Sequence, residues 1–538
     1  MKPPPNQASI FTDPKPRPWS AFDEIGMATA IDALINEMQA LYMADSIPWV
    51  VGYSGGKDST ATLQLAWIAL RGLPAEKRTK KIFVISTDTL VENPIVAAWA
   101  GDSLNTMRKA AEAEGLPVEV HRLTPKVEDS FWTLLIGRGY PAPRHLFRWC
   151  TDRLKIRPST AFINSVVSKH GECILLLGTR KAESAGRARR MVALEADRVR
   201  DRLSPNASQP GSLVYSPIED WSNDDVWQFL MQVKNPWGWS NKSLLTLYQG
   251  ASDGGECPLV VDTSTPSCGA SRFGCWTCTL VEHDKSMAAM ISNDAEKDWL
   301  LPLLDIRNAL DFREREDGDR HLRDFRRMSG KVQLMGVGAD RRVIPGPYLQ
   351  SARADWLRRL LTAQTWIRAN GPEHVRNIEL VTLPELEAIR RIWVIEKSEI
   401  EDLLPGIYKS ATGDDYPGAP LDAGPISAED LAILREIVGD DEQLYAAARD
   451  LMAVSYRFHK TERRAGLYDA LEKALRRYCF GSAEEAVEAL IARPGQADVS
   501  GIMGRASEVM ASFAERADDE PSALASTVAA TMNEVQKR

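Results

Sequence analysis

The chain predicts an α/β fold: a doubly wound, mostly parallel sheet, followed by a cysteine-rich loop and a mainly α-helical C-terminal region. Three observations predict it. Short apolar runs that read as buried strands alternate with helical periodicity through the first half of the chain, the pattern of a parallel sheet covered on both faces. One of these strands, ending in Val50-Val51, leads through two glycines directly into a helical pattern. Beyond about Ser351 the strand signal stops and only helical periodicity remains. Four segments follow: an irregular proline-rich tail over 1–20, the α/β domain over 21–240, the cysteine loop with a basic segment over 241–350, and a helical region over 351–538.

Length and composition set the bounds. A chain of 538 residues with 44% apolar and 26% charged residues is ample for several cores and ordinary for a globular protein. No apolar run is long enough to span a bilayer, and the N-terminus lacks an apolar signal core, so a cytoplasmic protein is expected. A net charge of -8 argues against broad non-specific binding to nucleic acid and leaves room only for local contacts. Seven cysteines in so long a chain are no disulfide framework; their clustering points to metal or catalytic work in a reducing compartment.

In order, residues from about Ala21 to Met43 read as an amphipathic helix, with Ile31, Leu34, Ile35, Met38 and Leu41 on one face. Ile47–Val51 is a buried strand, Ser54-Gly55-Gly56-Lys57-Asp58-Ser59-Thr60 a turn, and Ala61–Trp67 the start of a helix. Strand, glycine turn and helix N-terminus together form an anion site, because unpaired N–H groups converge there. Lys57 adds a charge and Ser54, Ser59 and Thr60 add hydroxyls. A Walker loop requires four residues between its glycine and Gly-Lys, then Ser or Thr. Here three residues separate Gly52 from Gly56-Lys57, and Asp58 follows. The stretch Ser54–Ser59 resembles instead the PP-loop of the ATP pyrophosphatases. That resemblance implies ATP held by its β,γ-diphosphate, attack at the α-phosphate, and Mg²⁺ to reconcile Asp58 with a triphosphate.

Ile82–Ile85 gives a second strand that ends in Asp88, a candidate for a ribose hydroxyl or Mg²⁺ and equally a cap for the turn. A helix over Pro94–Glu114 and a strand over Pro117–Val120 follow. Cys173–Leu177 is another buried strand, left by Gly178-Thr179-Arg180, with Arg187, Arg189 and Arg190 close behind. Gly178, Arg180 and Arg187 sit where charge on transferring phosphoryl oxygens needs stabilising, whereas Glu195, Asp197, Arg198 and Arg200 read as a solvated helix face. This spacing resembles the second signature of the PAPS-reductase branch of PP-loop proteins. Val214–Ile218 and a helix over Asn223–Met231 complete the domain.

Cys268, Cys275 and Cys278 form a C-x₆-C-x₂-C loop, Cys150 lies far upstream beside Trp149, and Cys257 precedes a proline. A CxxC alone serves zinc, redox or cluster chemistry. Three clustered thiols and one remote suit a [4Fe–4S] cluster, sheltered by Trp149, Phe273 and Trp276. Cys150, Cys268, Cys275 and Cys278 are assigned as ligands and Cys257 as sulfur carrier, with Cys150 and Cys257 exchangeable in that choice. Cys173 and Cys479 read as ordinary structural cysteines.

Taken together, Ser54–Ser59, Arg148-Trp149-Cys150-Thr151 with Leu154-Lys155, Gly178–Ser184 and Ser267–Cys278 resemble the DndC family, the PAPS-reductase-like sulfurtransferases of bacterial DNA phosphorothioation. The resemblance covers roughly residues 20–350. It implies an ATP-consuming enzyme with a [4Fe–4S] cluster, in which Lys57, Asp58, Arg180 and a sulfur-bearing Cys257 are the catalytic set. It implies DNA as substrate, a cysteine desulfurase as sulfur donor, and other Dnd-type proteins as partners. A single-strand-modifying SspD type shares the same parts. The runner-up readings are a PP-loop RNA thiolase, a PAPS reductase (whose terminal Cys beside Gly-Leu-His is missing here) and a non-catalytic nucleotide-sensing iron–sulfur subunit. Two basic runs are candidate DNA contacts: Arg144, Arg148, Arg153 and Lys155, and Arg320, Arg323, Arg326, Arg327, Lys331, Arg341 and Arg342. Helices are expected over 354–369, 384–397, 428–438 and 443–459 as a docking appendage, with a loop around 413–425 and weakly patterned residues after about Pro494.

Overall fold

Gly26 decides where the first helix begins. At φ +75 it adopts a conformation other residues resist, so residues 21–25 form a turn and helix α1 runs Met27–Met43 rather than from Ala21. The computed structural model describes residues 19–196, 198, 202–206, 209–251, 274–313, 318–336, 340–399, 401–421, 428–459, 466–492 and 500–516. Cys257, Cys268, Phe273 and the proline-rich tail therefore lie outside the described residues, as do Asp197 and Arg200.

Contacts divide the chain into two units. The first comprises residues 1–126 and 144–308, the second 127–143 and 309–538. In the first unit β1 (Trp49–Gly52) leads into α2 (Lys57–Arg71), then β2 (Ile82–Thr87), α3 (Pro94–Ala113) and β3 (Val118–Leu123). After α4 (Arg157–His170) come β4 (Cys173–Leu176), α5 (Ala185–Glu195), β5 (Ser204–Pro205), β6 (Ser212–Tyr215), α6 (Asn223–Gln232), α7 (Asn241–Gly250) and α8 (Lys285–Asn293). Helix α9 (Leu301–Leu310) ends at the boundary.

The sheet order is β3-β2-β1-β4-β6-β5, parallel throughout except for the short edge strand β5. Alternate side chains of the strands feed two cores, as a period of two demands. Val51, Val84, Ile174 and Leu176 pack with α1, α2 and α6, while Val50, Phe83, Ile85, Cys173 and Leu175 pack with Ile163 and Val166 of α4. This is the doubly wound sheet expected from the sequence. Chain order reverses between β1 and β4, and ligands of such sheets bind at that reversal, beyond the carboxyl ends. Cys173 lies fully buried in the sheet, where burial pushes its thiol up to about 11, so it is structural.

The second unit contains the hairpin β7 (Leu334–Met335) with β8 (Arg342–Val343), and the helices α10 (Gln350–Asn370), α11 (Leu383–Arg391), α12 (Leu403–Thr412), α13 (Ala428–Val438), α14 (Glu442–His459), α15 (Leu467–Leu475), α16 (Ala483–Ala492) and α17 (Ser500–Arg516). The segment 127–143 belongs here because Trp393 Nε1 donates to Ile136 O at 2.9 Å and Tyr348 N to Gly139 O at 2.7 Å. Helix α17 corrects the reading of the chain after Pro494 as weakly patterned. Its Ile502, Ala506, Val509, Met510 and Phe513 make a buried stripe, but intervening Gly, Ala and Ser dilute the hydropathy contrast that betrays a helix. Among the described residues three wide π turns interrupt the helices, at Thr133–Arg138, Thr151–Ile156 and Ile392–Glu396.

Candidate functional site

At the reversal between β1 and β4 lies a cleft of about 780 Å³, lined by the 52–59 turn, Thr87, Asp88, Glu92, Gly178–Arg180 and Arg187 among others. The turn needs its glycines. Gly55 has φ +76 and would place a Cβ 3.1 Å from the Trp99 ring. Gly178, arriving from β4, lies so close to the start of α2 that a Cβ would sit 2.7 Å from the backbone of Asp58. Two strand ends are thus pressed together around one carboxylate.

That carboxylate holds the cations. Asp58 Oδ2 lies 2.9 Å from Lys57 Nζ, and Asp58 Oδ1 accepts from Arg180 Nε at 2.7 Å. Arg180, 4% exposed, also donates to Trp221 O at 3.2 Å. Asp58 thus orients both cations, a role beside the Mg²⁺ contact that the sequence argument gave it. Ser59 Oγ donates to Gly56 O at 3.0 Å and lies 3.1 Å from Ser54 Oγ. Thr60 is fully buried and spends its hydroxyl on Gly56 O at 2.8 Å, so it braces the turn and does not line the cleft. Asp88 lines the cleft while accepting from Leu90 N at 2.9 Å and from the Arg122 guanidinium, so it also caps its turn. Arg187 pairs with Glu183 at the cleft wall.

Sequence reasoning missed several wall residues. Tyr248 of α7 places its hydroxyl 3.4 Å from Lys57 N and its ring 5.9 Å from Lys57 Nζ, and burial holds the phenol well above its usual range, hence neutral. No local pattern marks it, since at its helical position it looks like any core aromatic. Glu92 pairs with Lys155 at 3.4 Å, and both line the cleft. Lys155 was legible as a member of a basic run and of the stretch that carries the resemblance, not as a wall residue.

Glu92 also leads to the cysteines. It forms an antiparallel bridge with Cys275, Trp276 N donates to Val91 O at 2.9 Å, and Thr89 Oγ1 lies 3.4 Å from Cys275 Sγ. Buried Arg307 fixes the far side of this loop by donating to Cys278 O and Glu282 O at 3.0 Å each, and to Val281 O. Burial and the nearby Cys278 raise the Cys150 thiol; burial pushes Cys275 up to about 12 against the pull of Lys155. Cys150 and Cys275 thus each lie within electrostatic reach of Cys278, with Trp149 and Trp276 buried next to them in the chain, although no three metal-donor side chains among the described residues are drawn into one coordination shell. A donor set of thiols suits an iron–sulfur group, which would displace their protons. Cys257 and Cys268 lie outside the described residues.

The charged runs divide. Glu195 and Arg198, expected as a solvated face, are paired inward with Lys181 at 2.5 Å and Glu219 at 2.8 Å. In the second basic run Arg323, Arg326 and Arg327 donate to the carbonyls of Gly346, Phe480 and Pro345 at 2.7, 2.8 and 2.7 Å, so they hold irregular backbone. Arg320, Lys331, Arg341 and Arg342 remain exposed. No helix among the described residues is long and apolar enough to cross a membrane.

Residues 48–280, which hold the sheet and its cleft, match the family model of the phosphoadenosine phosphosulfate reductase domain. The Methanocaldococcus jannaschii protein MJ0066 is 27% identical over 235 residues, which are 44% of this chain and 37% of that one. The chain thus spans little more than a third of the length of the curated relative it matches. The solved U34-tRNA thiolase NcsA from Methanococcus maripaludis, with its [4Fe-4S] cluster, is similar at 14% identity over 52% of this chain and 80% of that chain, with a TM-score of 0.25. A likeness that weak adds nothing to the fold, which rests on the sheet itself.

Proposed function

We propose that the protein is an ATP-consuming sulfurtransferase that activates a DNA backbone phosphate for replacement of a non-bridging oxygen by sulfur. One observation carries the reading: Glu92 belongs both to the cleft wall and to the bridge that docks Cys275, so anion site and thiols share one short segment. In this reading Lys57, Arg180 and the first N–H groups of α2 hold the departing pyrophosphate. Asp58 keeps the two cations aimed, and Asp58 and Asp88 are the carboxylates that would face a Mg²⁺ accompanying the nucleotide. A phosphate oxygen of the substrate bonds to the α-phosphorus as the α–β bridge breaks and pyrophosphate leaves. The persulfide sulfur of a carrier thiol, charged by a cysteine desulfurase, then bonds to the substrate phosphorus as AMP leaves with the oxygen, and an external thiol attacks the carrier sulfur, forming a disulfide and leaving the outer sulfur on phosphorus. A [4Fe–4S] group held by Cys150, Cys275, Cys278 and Cys268 would supply a sulfur-holding or structural centre, with Cys257 as carrier thiol.

The test follows α-labelled ATP with anaerobically purified protein, with and without DNA or tRNA. AMP and pyrophosphate stimulated by DNA are expected. ADP and orthophosphate would overturn the ATP chemistry; stimulation by tRNA alone would move the substrate to RNA.

A further inference from the structure

Starting seven residues before the π turn that follows Cys150, the chain makes a small exposed turn. Arg144 and Phe147 bridge antiparallel, with Arg144 N donating to Phe147 O at 3.2 Å and Phe147 N to Arg144 O at 2.8 Å. Every residue from Arg144 to Arg148 is exposed, whereas Trp149, next in the chain, is buried and anchors the base. At the tip Leu146 is 102% exposed and Phe147 46%. Arg148 is held to the turn by Nε donating to His145 O at 3.2 Å, with Nη2 3.2 Å from His145 Nδ1. An ordered turn that lifts two apolar side chains into water, between arginines, costs free energy unless something covers it.

The geometry points to an unstacking wedge for nucleic acid: Leu146 and Phe147 enter between adjacent bases while Arg144 and Arg148 take the flanking phosphates. Two apolar side chains flanked by guanidinium groups match the alternation of flat apolar bases and anionic phosphates along a strand. A membrane contact normally uses a longer amphipathic face, such as a helix laid in the interface. The wedge gives the proposed reaction what its cleft lacks, a means of pulling one strand out of its stack beside Cys150, which neighbours Cys278. It rests on that reading for its reason to exist, not for its test.

The probe is an oligonucleotide with a central 2-aminopurine, single-stranded and duplex, whose fluorescence rises when the base unstacks. The wild-type chain is expected to bind with a rise in fluorescence. The Leu146→Ser/Phe147→Ser double variant should lose the rise and bind about 5- to 100-fold more weakly. Phe147→Trp should keep the rise, which separates loss of stacking from damage to the turn. Arg144→Gln and Arg148→Gln should each lower the salt slope by about 0.7 on single strands. Binding by the wild type without a rise, equal behaviour of the double variant, or capture by anionic phosphatidylglycerol vesicles in place of DNA would overturn the wedge. ATP products measured on the same wild-type sample judge the proposed reaction separately: ADP would sink that reaction and leave the fluorescence result to stand by itself.

Discussion

Gly178 shows how a single missing side chain can hold a site together. Its Cα hydrogen faces the Asp58 backbone where a methyl would collide, and that contact sets how near Arg180 comes to Asp58. Gly178→Ala should force the β4 end away from α2, costing about 1–3 kcal/mol of stability. Nucleotide affinity should fall with it, as read by thermal melting and calorimetric titration of ATP. At this scale the sequence was generous with the residues of the turn and sparing with their partners. Ser54–Ser59, Gly178 and Arg180 announce themselves through spacing, because phosphate chemistry restricts what can stand there. Tyr248 and Glu92 are placed by tertiary packing, which leaves no periodic trace. Thr60 looked like a ligand because a hydroxyl in a glycine turn reads the same whether it faces outward or back.

Among elements, the loop around Cys275 and Cys278 is a docked arm, held on one side by the strand-like contact with residues 89–93 and on the other by the Arg307 guanidinium. Hydrogen bonds from a charged donor are each worth about 1.5–3 kcal/mol. Arg307→Met, which keeps bulk but strips the donors, should therefore release the carbonyls after Cys278 and reduce iron retained per chain after anaerobic reconstitution. Unchanged iron content in a folded variant would mean the arm needs no such clamp. The parallel strands of the sheet were legible to within a few residues, since the central ones are unbroken apolar runs, whereas the short antiparallel edge strand β5 left no such run. Helix α17 was not, because alanine, glycine and serine let it pack closely while hiding its stripe.

Across the molecule, segment 127–143 packs against a unit whose remaining residues begin at 309. A chain cut after Asn308 would leave Phe131, Trp132, Leu134, Leu135 and Ile136, all buried in the full chain, without the residues that cover them. Such a fragment is expected to aggregate, or to be purified only with the rest supplied in trans, as size-exclusion chromatography would show. The second unit also carries a titration signature. Burial, together with Arg353 and Arg477 against Glu399 and Asp324, lowers the Lys397 ammonium from 10.5 to about 8. Between those values the unfolded chain still holds the proton that the folded unit has released. Stability contributed by this residue therefore climbs as pH rises from about 8 toward 10.5. The Lys397→Met variant should flatten that slope in denaturant midpoints; an equal slope in both proteins would assign it elsewhere.

The π turn at Thr151–Ile156 carries a last consequence, about counting rather than chemistry. A π turn spends more residues per revolution than the α-helix α4 into which it runs. The turn already absorbs one spare residue; a second, wound as ordinary α geometry, would swing the residues just upstream by about 100° around the helix axis. Cys150 and the Arg144–Arg148 turn would face a different quarter of the molecule, with every side chain between them unchanged in kind. Substitutions at Arg153 should accordingly be milder than an insertion beside it. What aims Cys150 is the number of links in the chain, not their spelling.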